Sequence, residues 1–143
     1  MKKFLCVCFG NSCRSPMMKT LLTKKLTEKG IEATVDSAGI AEKDPTPASD
    51  NARAVMKEHN LSLEGHTSKH VREVDLQSFD KILVVDQKTK EAVIAQGADA
   101  DKVVILNEAN DGVPNPYGGD IDVYRNCATS IDQLLDEFVE TIA

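Results

Sequence analysis

Two residues near the amino terminus, Cys8 and Arg14, have the types and the spacing for nucleophilic chemistry on a bound anion. Five residues separate them, and the segment lies between an apolar run and a helical pattern. A short loop between a strand and a helix directs backbone N–H groups and the positive end of the helix dipole at one point, where an arginine can hold two phosphate oxygens. The same field favours a thiolate over a thiol. The segment therefore predicts a phosphate-binding loop whose cysteine attacks phosphorus.

The residues between and beside this pair fit the same loop. Gly10 permits an unusual backbone angle or the close approach of a ligand, Asn11 can pin the loop through its side-chain amide, and Ser15 can cap the helix and hydrogen-bond the sulfur. Cys13 has two interpretations, a small buried residue or a neighbour that protects Cys8 through a reversible disulfide. The predicted phosphate-binding residues are Phe9, Gly10, Asn11, Ser12, Cys13, Arg14 and Ser15.

The rest of the chain predicts the scaffold that positions this loop. Four apolar runs typical of strands alternate with four helical patterns; the strands are expected at 3–7, 33–35, 81–85 and 103–106, and the helices at 16–29, 49–59, 88–96 and 122–141. This alternation indicates an α/β fold, with one domain over residues 1–143, an open parallel four-stranded sheet, helices on both faces and the phosphate loop after the first strand. Ligands bind such sheets at the carboxyl ends of the strands, where the strand order reverses. Two turn-rich stretches, 43–47 and 110–119, are expected to rim that site.

Composition limits the classes of partner and compartment. The chain has 143 residues, a net charge of −6 and a pI near 5.0, which disfavours nucleic acid and anionic membranes as partners. The apolar run from Phe4 to Phe9 is too short for a signal peptide and passes directly into the reactive loop. Four cysteines, three of them within eight positions, fit neither a disulfide framework nor a zinc site, and a thiolate nucleophile requires a reducing compartment. We therefore expect a cytoplasmic protein that uses no metal or other cofactor.

The segment from Val7 to Pro16 resembles the signature loop of the low-molecular-weight protein tyrosine phosphatases. The resemblance continues in the family's order along nearly the whole chain, through Ser37-Ala38-Gly39, His66, Phe79-Asp80 and Pro114-Asn115-Pro116-Tyr117. It implies that Cys8 is the nucleophile and that Arg14 clamps the phosphate. It also implies a network that supports the loop, formed by Asn11, Ser15, Ser37 and His66.

Asp86, at the end of the third predicted strand, has two interpretations. Its carboxylate can orient Arg14 or His66 from behind the loop. Alternatively, it can cap the helix that follows, since aspartate is favoured at that position.

One position departs from the family pattern. The family has an aspartate before the proline and the aromatic residue of the last loop, where it protonates the leaving group, and this chain has Asn115. An amide cannot deliver a proton, and the loss of a general acid typically lowers a rate about 10²–10⁴-fold. Another carboxylate can act instead, with Asp120 and Asp111 the nearest in sequence and Asp122 a poorer choice. Alternatively, the enzyme is slow or restricted to good leaving groups, or Asn115 is an engineered change.

The first hypothesis for the substrate is phosphotyrosine in a phosphorylated protein, with inorganic phosphate as the product. Phe9 and Tyr117 would form apolar walls for its flat ring. Ser12 and the run from Pro116 to Gly119 are similar instead to the branch of the family that dephosphorylates phosphoarginine in proteins, which is the second hypothesis.

Two further classes of protein use a loop of this kind. A phosphate-binding module without turnover is favoured by Asn115, because the loop and the arginine persist while the acid is lost. An arsenate reductase coupled to thioredoxin is disfavoured, since such enzymes need two further cysteines after the third strand and residues 87–126 hold none.

Overall fold

The computed structural model describes residues 1–142 and contains a single four-stranded sheet. The strands are β1 (Lys2–Cys8), β2 (Ala33–Gly39), β3 (Lys81–Val84) and β4 (Val103–Ile105). The helices are α1 (Arg14–Glu28), α2 (Asp50–Glu58), α3 (Gln87–Ala95) and α4 (Ile121–Ile142). All neighbouring strands are parallel and their order is β2-β1-β3-β4. The predicted α/β fold is confirmed.

The central strand β1 separates two apolar cores. Successive side chains of a strand point to opposite faces of the sheet. Phe4 and Cys6 accordingly pack with buried residues of α1, α2 and α4, whereas Leu5 and Val7 pack on the other face with residues that include Val93 of α3. Helices therefore cover both faces, and the part of the apolar run from Phe4 to Cys8 is the buried centre of the sheet.

The phosphate loop leaves the sheet where its strand order reverses. β1 lies between β2 and β3, so the connection after β2 returns across β1 to the opposite side. Cys8 ends β1 and pairs with Gly39 at the end of β2. The loop after Cys8 thus opens at the carboxyl edge of three neighbouring strands, the location in which such sheets bind ligands.

Element boundaries differ from the predictions where polar residues continue a strand or a proline begins a helix. β2 extends to Gly39, beyond the predicted end at residue 35, because the polar segment from Asp36 to Ser37 still pairs with β1. α1 begins at Arg14, and Pro16 lies in its first turn, where its missing N–H removes no hydrogen bond. In α4, Leu134 and Ile142 are half-buried at the edge of the core.

None of the helices within residues 1–142 combines the length and the apolar character that a membrane span requires.

Candidate active site

Cys8 and Arg14 lie at the two ends of one tight loop. Cys8 ends β1 and Arg14 begins α1, and both are almost fully buried. A cavity of about 270 Å³ opens above them; its walls are formed by Cys8, Phe9, Gly10, Ser12, Cys13, Arg14, Ala41, Lys43, Asn115 and Tyr117. Both turn-rich stretches contribute to this cavity, as the sequence predicts. The cavity has the position and the size for a phosphoryl group and part of the side chain that carries it.

The sulfur of Cys8 is surrounded by hydrogen-bond donors. The backbone N–H of Asn11 lies 3.2 Å from Sγ, and the hydroxyl of Ser15 lies 3.0 Å from it. The Ser15 oxygen accepts a hydrogen bond from the Asn11 side-chain amide at 2.8 Å, and its own proton has two acceptors within reach, the sulfur at 3.0 Å and the carbonyl of Ala38 at 3.4 Å. Donors without a nearby base favour the anionic form of a group. The geometry therefore suits a thiolate.

Asn11 holds the loop in shape. It adopts a left-handed backbone conformation with φ of 54°. Its side-chain amide donates to the hydroxyl of Ser37 at 3.0 Å and accepts from the backbone N–H of Lys69 at 3.0 Å. The ring Nε2 of His66 lies 2.8 Å from its carbonyl oxygen. Since burial lowers the pKa of His66, its ring is neutral at neutral pH and donates this Nε2–H to the carbonyl. The structure thus brings Ser37 and His66 to the loop.

Arg14 is a buried cation whose charge lacks a protein partner. One guanidinium nitrogen donates to the carbonyl of Val113 at 2.7 Å, while Nε has no hydrogen-bond partner within residues 1–142. Within the same residues, no carboxylate lies within 4.0 Å of its guanidinium. The N terminus of α1 also lacks a side-chain cap and has no acid in its first turn. Burial of an unpaired charge is unfavourable, so this arrangement favours the binding of an anion in the cavity.

Gly112 directly precedes Val113, whose carbonyl accepts the hydrogen bond from Arg14. Gly112 has φ of 94°, and a Cβ placed there would lie 2.1 Å from the carbonyl oxygen of Val85. We expect Gly112→Ala to lower the free energy of unfolding by about 2–5 kcal/mol, because backbone strain and steric overlap add together. Urea denaturation measures this loss. Gly118→Ala is the matched control: its φ is 84° but the space around it is empty, so it should lose only about 1–2 kcal/mol. Equal losses for the two variants would contradict this prediction.

The side chain of Asn115 lines the cavity but carries no ionisable group. Its Oδ1 accepts the backbone N–H of Tyr117 at 3.1 Å, which fixes the turn and leaves its amide nitrogen as a donor. Phe9 and Tyr117 are 46% and 75% exposed, and both residues border the cavity. The two residues predicted as apolar walls therefore both border the cavity.

The carboxylates considered as substitutes for the missing acid lie outside the cavity. Asp120 instead accepts the backbone N–H of Val123 at 3.1 Å at the start of α4, so its proposed role as an acid is not supported. Asp122 forms an exposed ion pair with Arg125. Asp111 lines an adjoining depression that shares Phe9, Arg14 and Asn115 with the cavity.

Asp86 lies in the same adjoining depression and acts as a helix cap. Its carboxylate accepts the backbone N–H of Thr89 at 2.8 Å and the hydroxyl of the same residue at 2.5 Å. Within residues 1–142 it forms no hydrogen bond with Arg14 or His66. The expectation that it orients one of these side chains is therefore wrong, and the capping interpretation holds.

The other cysteines have different surroundings. Cys13 lines the cavity, and its sulfur lies 3.3 Å from the hydroxyl of Tyr124, whose pKa is raised to about 12 by burial and by this contact. A reversible disulfide between Cys13 and Cys8 stays a prediction. Burial raises the pKa of Cys6 far above its usual value and that of Cys127 to about 11, which makes both thiols unreactive.

The sequence analysis does not identify two residues that take part in the site, Val113 and Lys43. Val113 contributes only its carbonyl oxygen, which no residue type reveals. Lys43 lies at the edge of a stretch predicted to rim the site, but nothing in the sequence shows that its ammonium reaches Gly10. In the structure, Nζ lies 3.6 Å from the point where a Cβ of Gly10 would be. Within residues 1–142, no three His, Cys, Asp or Glu side chains group together as metal ligands.

Fold and site together define an α/β protein with a cysteine and an arginine on a loop that binds anions. Residues 3–143 match the family described as "Low molecular weight phosphotyrosine protein phosphatase". The chain belongs to this family of protein phosphatases, which are hydrolases, and the resemblance noted in the sequence is confirmed.

Similar proteins include both branches considered for the substrate. The chain is 30% identical over 141 residues to a protein-arginine-phosphatase of Bacillus subtilis, covering 95% of this chain and 93% of that protein. It is 33% identical over 132 residues to the low molecular weight protein-tyrosine-phosphatase PtpB of Staphylococcus haemolyticus, covering 90% and 89%. Among solved structures, the low molecular weight protein tyrosine phosphatase of T. tengcongensis superposes with a TM-score of 0.91 at 32% identity and 99% coverage of both chains.

Proposed function

We propose that this protein hydrolyses phosphotyrosine in phosphorylated proteins through a phosphocysteine intermediate. The observation that carries the proposal is the buried guanidinium of Arg14, which has an unpartnered Nε and lies in the same cavity as the sulfur of Cys8. Membership in the phosphatase family supports the reaction class. Arg14 and the start of α1 bind the phosphoryl oxygens, and their positive charge stabilises the transition state.

The reaction has two steps on the same sulfur. The Cys8 thiolate attacks phosphorus, so that an S–P bond forms while the bond from phosphorus to the phenolic oxygen breaks. The phenolate departs with the electron pair and takes a proton from water, because Asn115 supplies none. A water molecule then attacks the phosphocysteine, which releases inorganic phosphate and restores the thiolate. The cavity needs no metal for either step, because Arg14 provides the positive charge.

The charges around the cavity favour phosphotyrosine over phosphoarginine. A phosphorylated guanidino group needs an acceptor for its N–H groups and for its positive charge, yet none of the residues that line the cavity carries a carboxylate. Lys43 adds a second cation beside Arg14. The uncharged phenolic ring instead fits between Phe9 and Tyr117, whose exposed rings provide an apolar surface.

Phosphoarginine is the second candidate because a relative at 30% identity bears the name protein-arginine-phosphatase. Ser12 and the run from Pro116 to Gly119 also resemble that branch. A phosphate-binding module without turnover is the third candidate, and it rests on Asn115. An arsenate reductase is disfavoured by Cys127, which is buried beside the carbonyl of Pro114 and has a raised pKa.

We also infer that the protein works in the reducing environment of the cytoplasm and takes part in signalling by protein phosphorylation. All four cysteines are free thiols, and the proposed chemistry requires that of Cys8 to stay reduced.

Release of inorganic phosphate from matched substrates tests the proposal. The purified protein is incubated with a phosphotyrosine peptide and with the same peptide carrying phosphoarginine at that position. We expect faster release from the phosphotyrosine peptide. Faster release from the phosphoarginine peptide would assign the protein to that branch. Phosphate binding without turnover on either peptide would favour the binding module, and arsenate reduction with thioredoxin would overturn the reaction class.

A further inference from the structure

Lys43 is the one lysine that lines the cavity, and the reaction proposed above does not use it. It lies on the loop that follows β2, and its ammonium lies beside Gly10. The nearest heavy atoms to a Cβ built on Gly10 are the hydroxyl of Ser12 at 3.5 Å and Nζ of Lys43 at 3.6 Å. The ammonium thus lies at the edge of the phosphate loop, within ordinary contact distance of Gly10.

The loop that carries Lys43 is held firmly against the rest of the site. Nζ donates to the hydroxyl of Thr46 at 3.0 Å. The backbone N–H of Thr46 donates to the hydroxyl of Ser68 at 2.9 Å, and the N–H of Ser68 donates to the carbonyl of Thr46 at 2.8 Å. At the start of the loop, the N–H of Ala41 donates to the carbonyl of Phe9 at 2.9 Å. These bonds fix the ammonium relative to the phosphate loop.

The ammonium of Lys43 has no counter-ion in the structure. Within residues 1–142, no carboxylate lies within 4.0 Å of Nζ. The adjacent acid, Glu42, is occupied by a bidentate ion pair with Arg72 and also lies 3.4 Å from His70. An ammonium has three N–H donors, and Thr46 accepts one of them. The remaining donors are available to a ligand that enters the cavity.

The surroundings of Phe9 have a different charge pattern. There the ammonium of Lys88 lies 5.1 Å from the centre of the Phe9 ring, and the adjoining depression also contains Asp86 and Asp111. Positive and negative charges are therefore mixed around Phe9, whereas none of the residues that line the cavity together with Lys43 carries a carboxylate. Besides Arg14 in the phosphate loop, Lys43 is therefore the cation without a counter-ion that a peptide meets in the lining of the cavity.

We propose that Lys43 determines substrate specificity by binding an acidic side chain that neighbours the phosphorylated residue. This inference rests on the proposed phosphatase function and specifies its substrate class. The phosphoryl group occupies the loop and Arg14, and the carboxylate of a flanking glutamate or aspartate binds the free N–H donors of Lys43. The ion pair is partly exposed to solvent, so it discriminates between substrates about two- to fivefold rather than by orders of magnitude.

A charge-swap experiment tests this proposal. Phosphotyrosine peptides are prepared that differ only in one residue, Glu, Gln or Lys, placed directly before or directly after the phosphotyrosine. For the wild type, kcat/KM is expected to be about two- to fivefold higher for the Glu peptide than for the Gln peptide at one of these positions. Lys43→Met should abolish this preference, and Lys43→Glu should reverse it in favour of the Lys peptide. Added salt should weaken the preference.

Lys24→Glu is the matched control, because it changes the net charge equally on an exposed part of α1 that does not line the cavity. This variant should keep the wild-type preference. If Lys43 bound the phosphoryl group itself, Lys43→Met would weaken all peptides equally, and that result would overturn the proposal. A preference that survives in Lys43→Met would overturn it as well.

Binding measurements separate this proposal from the proposed function. The affinities of the same peptides are measured for Cys8→Ser, alone and combined with each Lys43 variant, where turnover is not required. If the wild type shows no turnover while Cys8→Ser binds the Glu peptide with a preference that depends on Lys43, the role of Lys43 is supported and the phosphatase function is contradicted. Turnover by the wild type without such a preference would support the phosphatase function and contradict the role of Lys43.

Discussion

Replacement of Cys8 with serine is expected to lower the rate of phosphate release by about 10⁴–10⁶-fold. The sulfur is approached by two donors, the N–H of Asn11 and the hydroxyl of Ser15, and neither is a base. These donors suit a nucleophile that already carries its negative charge. A serine hydroxyl keeps its proton at neutral pH, and nothing in this pocket removes it. The serine variant should therefore retain the phosphate site while losing the nucleophile.

Steady-state release of phosphate from a phosphotyrosine peptide measures this effect, and the binding of inorganic phosphate shows whether the loop is intact. Cys127→Ser is the matched control, since Cys127 is a buried thiol that lies outside the cavity. It should retain activity within a few-fold of the wild type. Retention of more than about a tenth of the activity in the Cys8 variant would exclude the phosphocysteine route.

Local patterns were sufficient to predict the phosphate loop and the sheet. The alternation of apolar runs with helical stripes indicates a parallel sheet, and the position of Cys8 directly after the first run places the loop at the carboxyl edge. The contacts of Asn11 with Ser15 and Cys8 span only three or four residues. Interactions of such short range depend on residue type and spacing, which a sequence displays directly.

The wall opposite the loop depends on contacts that are distant in sequence. The carbonyl of Val113 reaches Arg14 across 99 positions, and its role is carried by the backbone rather than by its side chain. Asp120 is five residues from Asn115, yet its carboxylate caps α4 outside the cavity. Proximity in sequence does not predict proximity in space within a turn-rich loop, since each tight turn reverses the direction of the chain. Within residues 1–142, Lys43 likewise lacks a counter-ion because the neighbouring Glu42 forms its ion pair with Arg72, 30 positions away.

Restoration of an acid at position 115 is expected to raise the steady-state rate by about 10²–10⁴-fold. Asn115 lines the cavity, and the hydrogen bond from the N–H of Tyr117 to its Oδ1 can be accepted equally well by a carboxylate oxygen. Asn115→Asp should therefore preserve the turn while adding a group that protonates the leaving oxygen and later activates water. The gain should be largest for phosphotyrosine, whose leaving phenolate is basic.

The time course should differ between the two proteins when the leaving group is good. With p-nitrophenyl phosphate, the first step needs little acid catalysis because the nitrophenolate ion is stable, whereas hydrolysis of the phosphocysteine still needs a base. We expect the wild type to release about one equivalent of nitrophenolate in a rapid burst, followed by slow turnover. Asn115→Asp should shorten or remove the burst, since the added carboxylate accelerates the second step. Rapid-quench or stopped-flow measurements resolve the two phases.

Two further variants identify the group that transfers the proton. Asn126→Asp adds the same carboxylate on an exposed face of α4 outside the cavity, and it should leave the rate and the burst unchanged. Asp111→Asn removes the carboxylate of the adjoining depression, and we expect at most a few-fold loss. If Asn115→Asp had no effect while Asp111→Asn abolished turnover, the acid would lie in that depression instead. The loop before α4 would then position the substrate rather than transfer its proton.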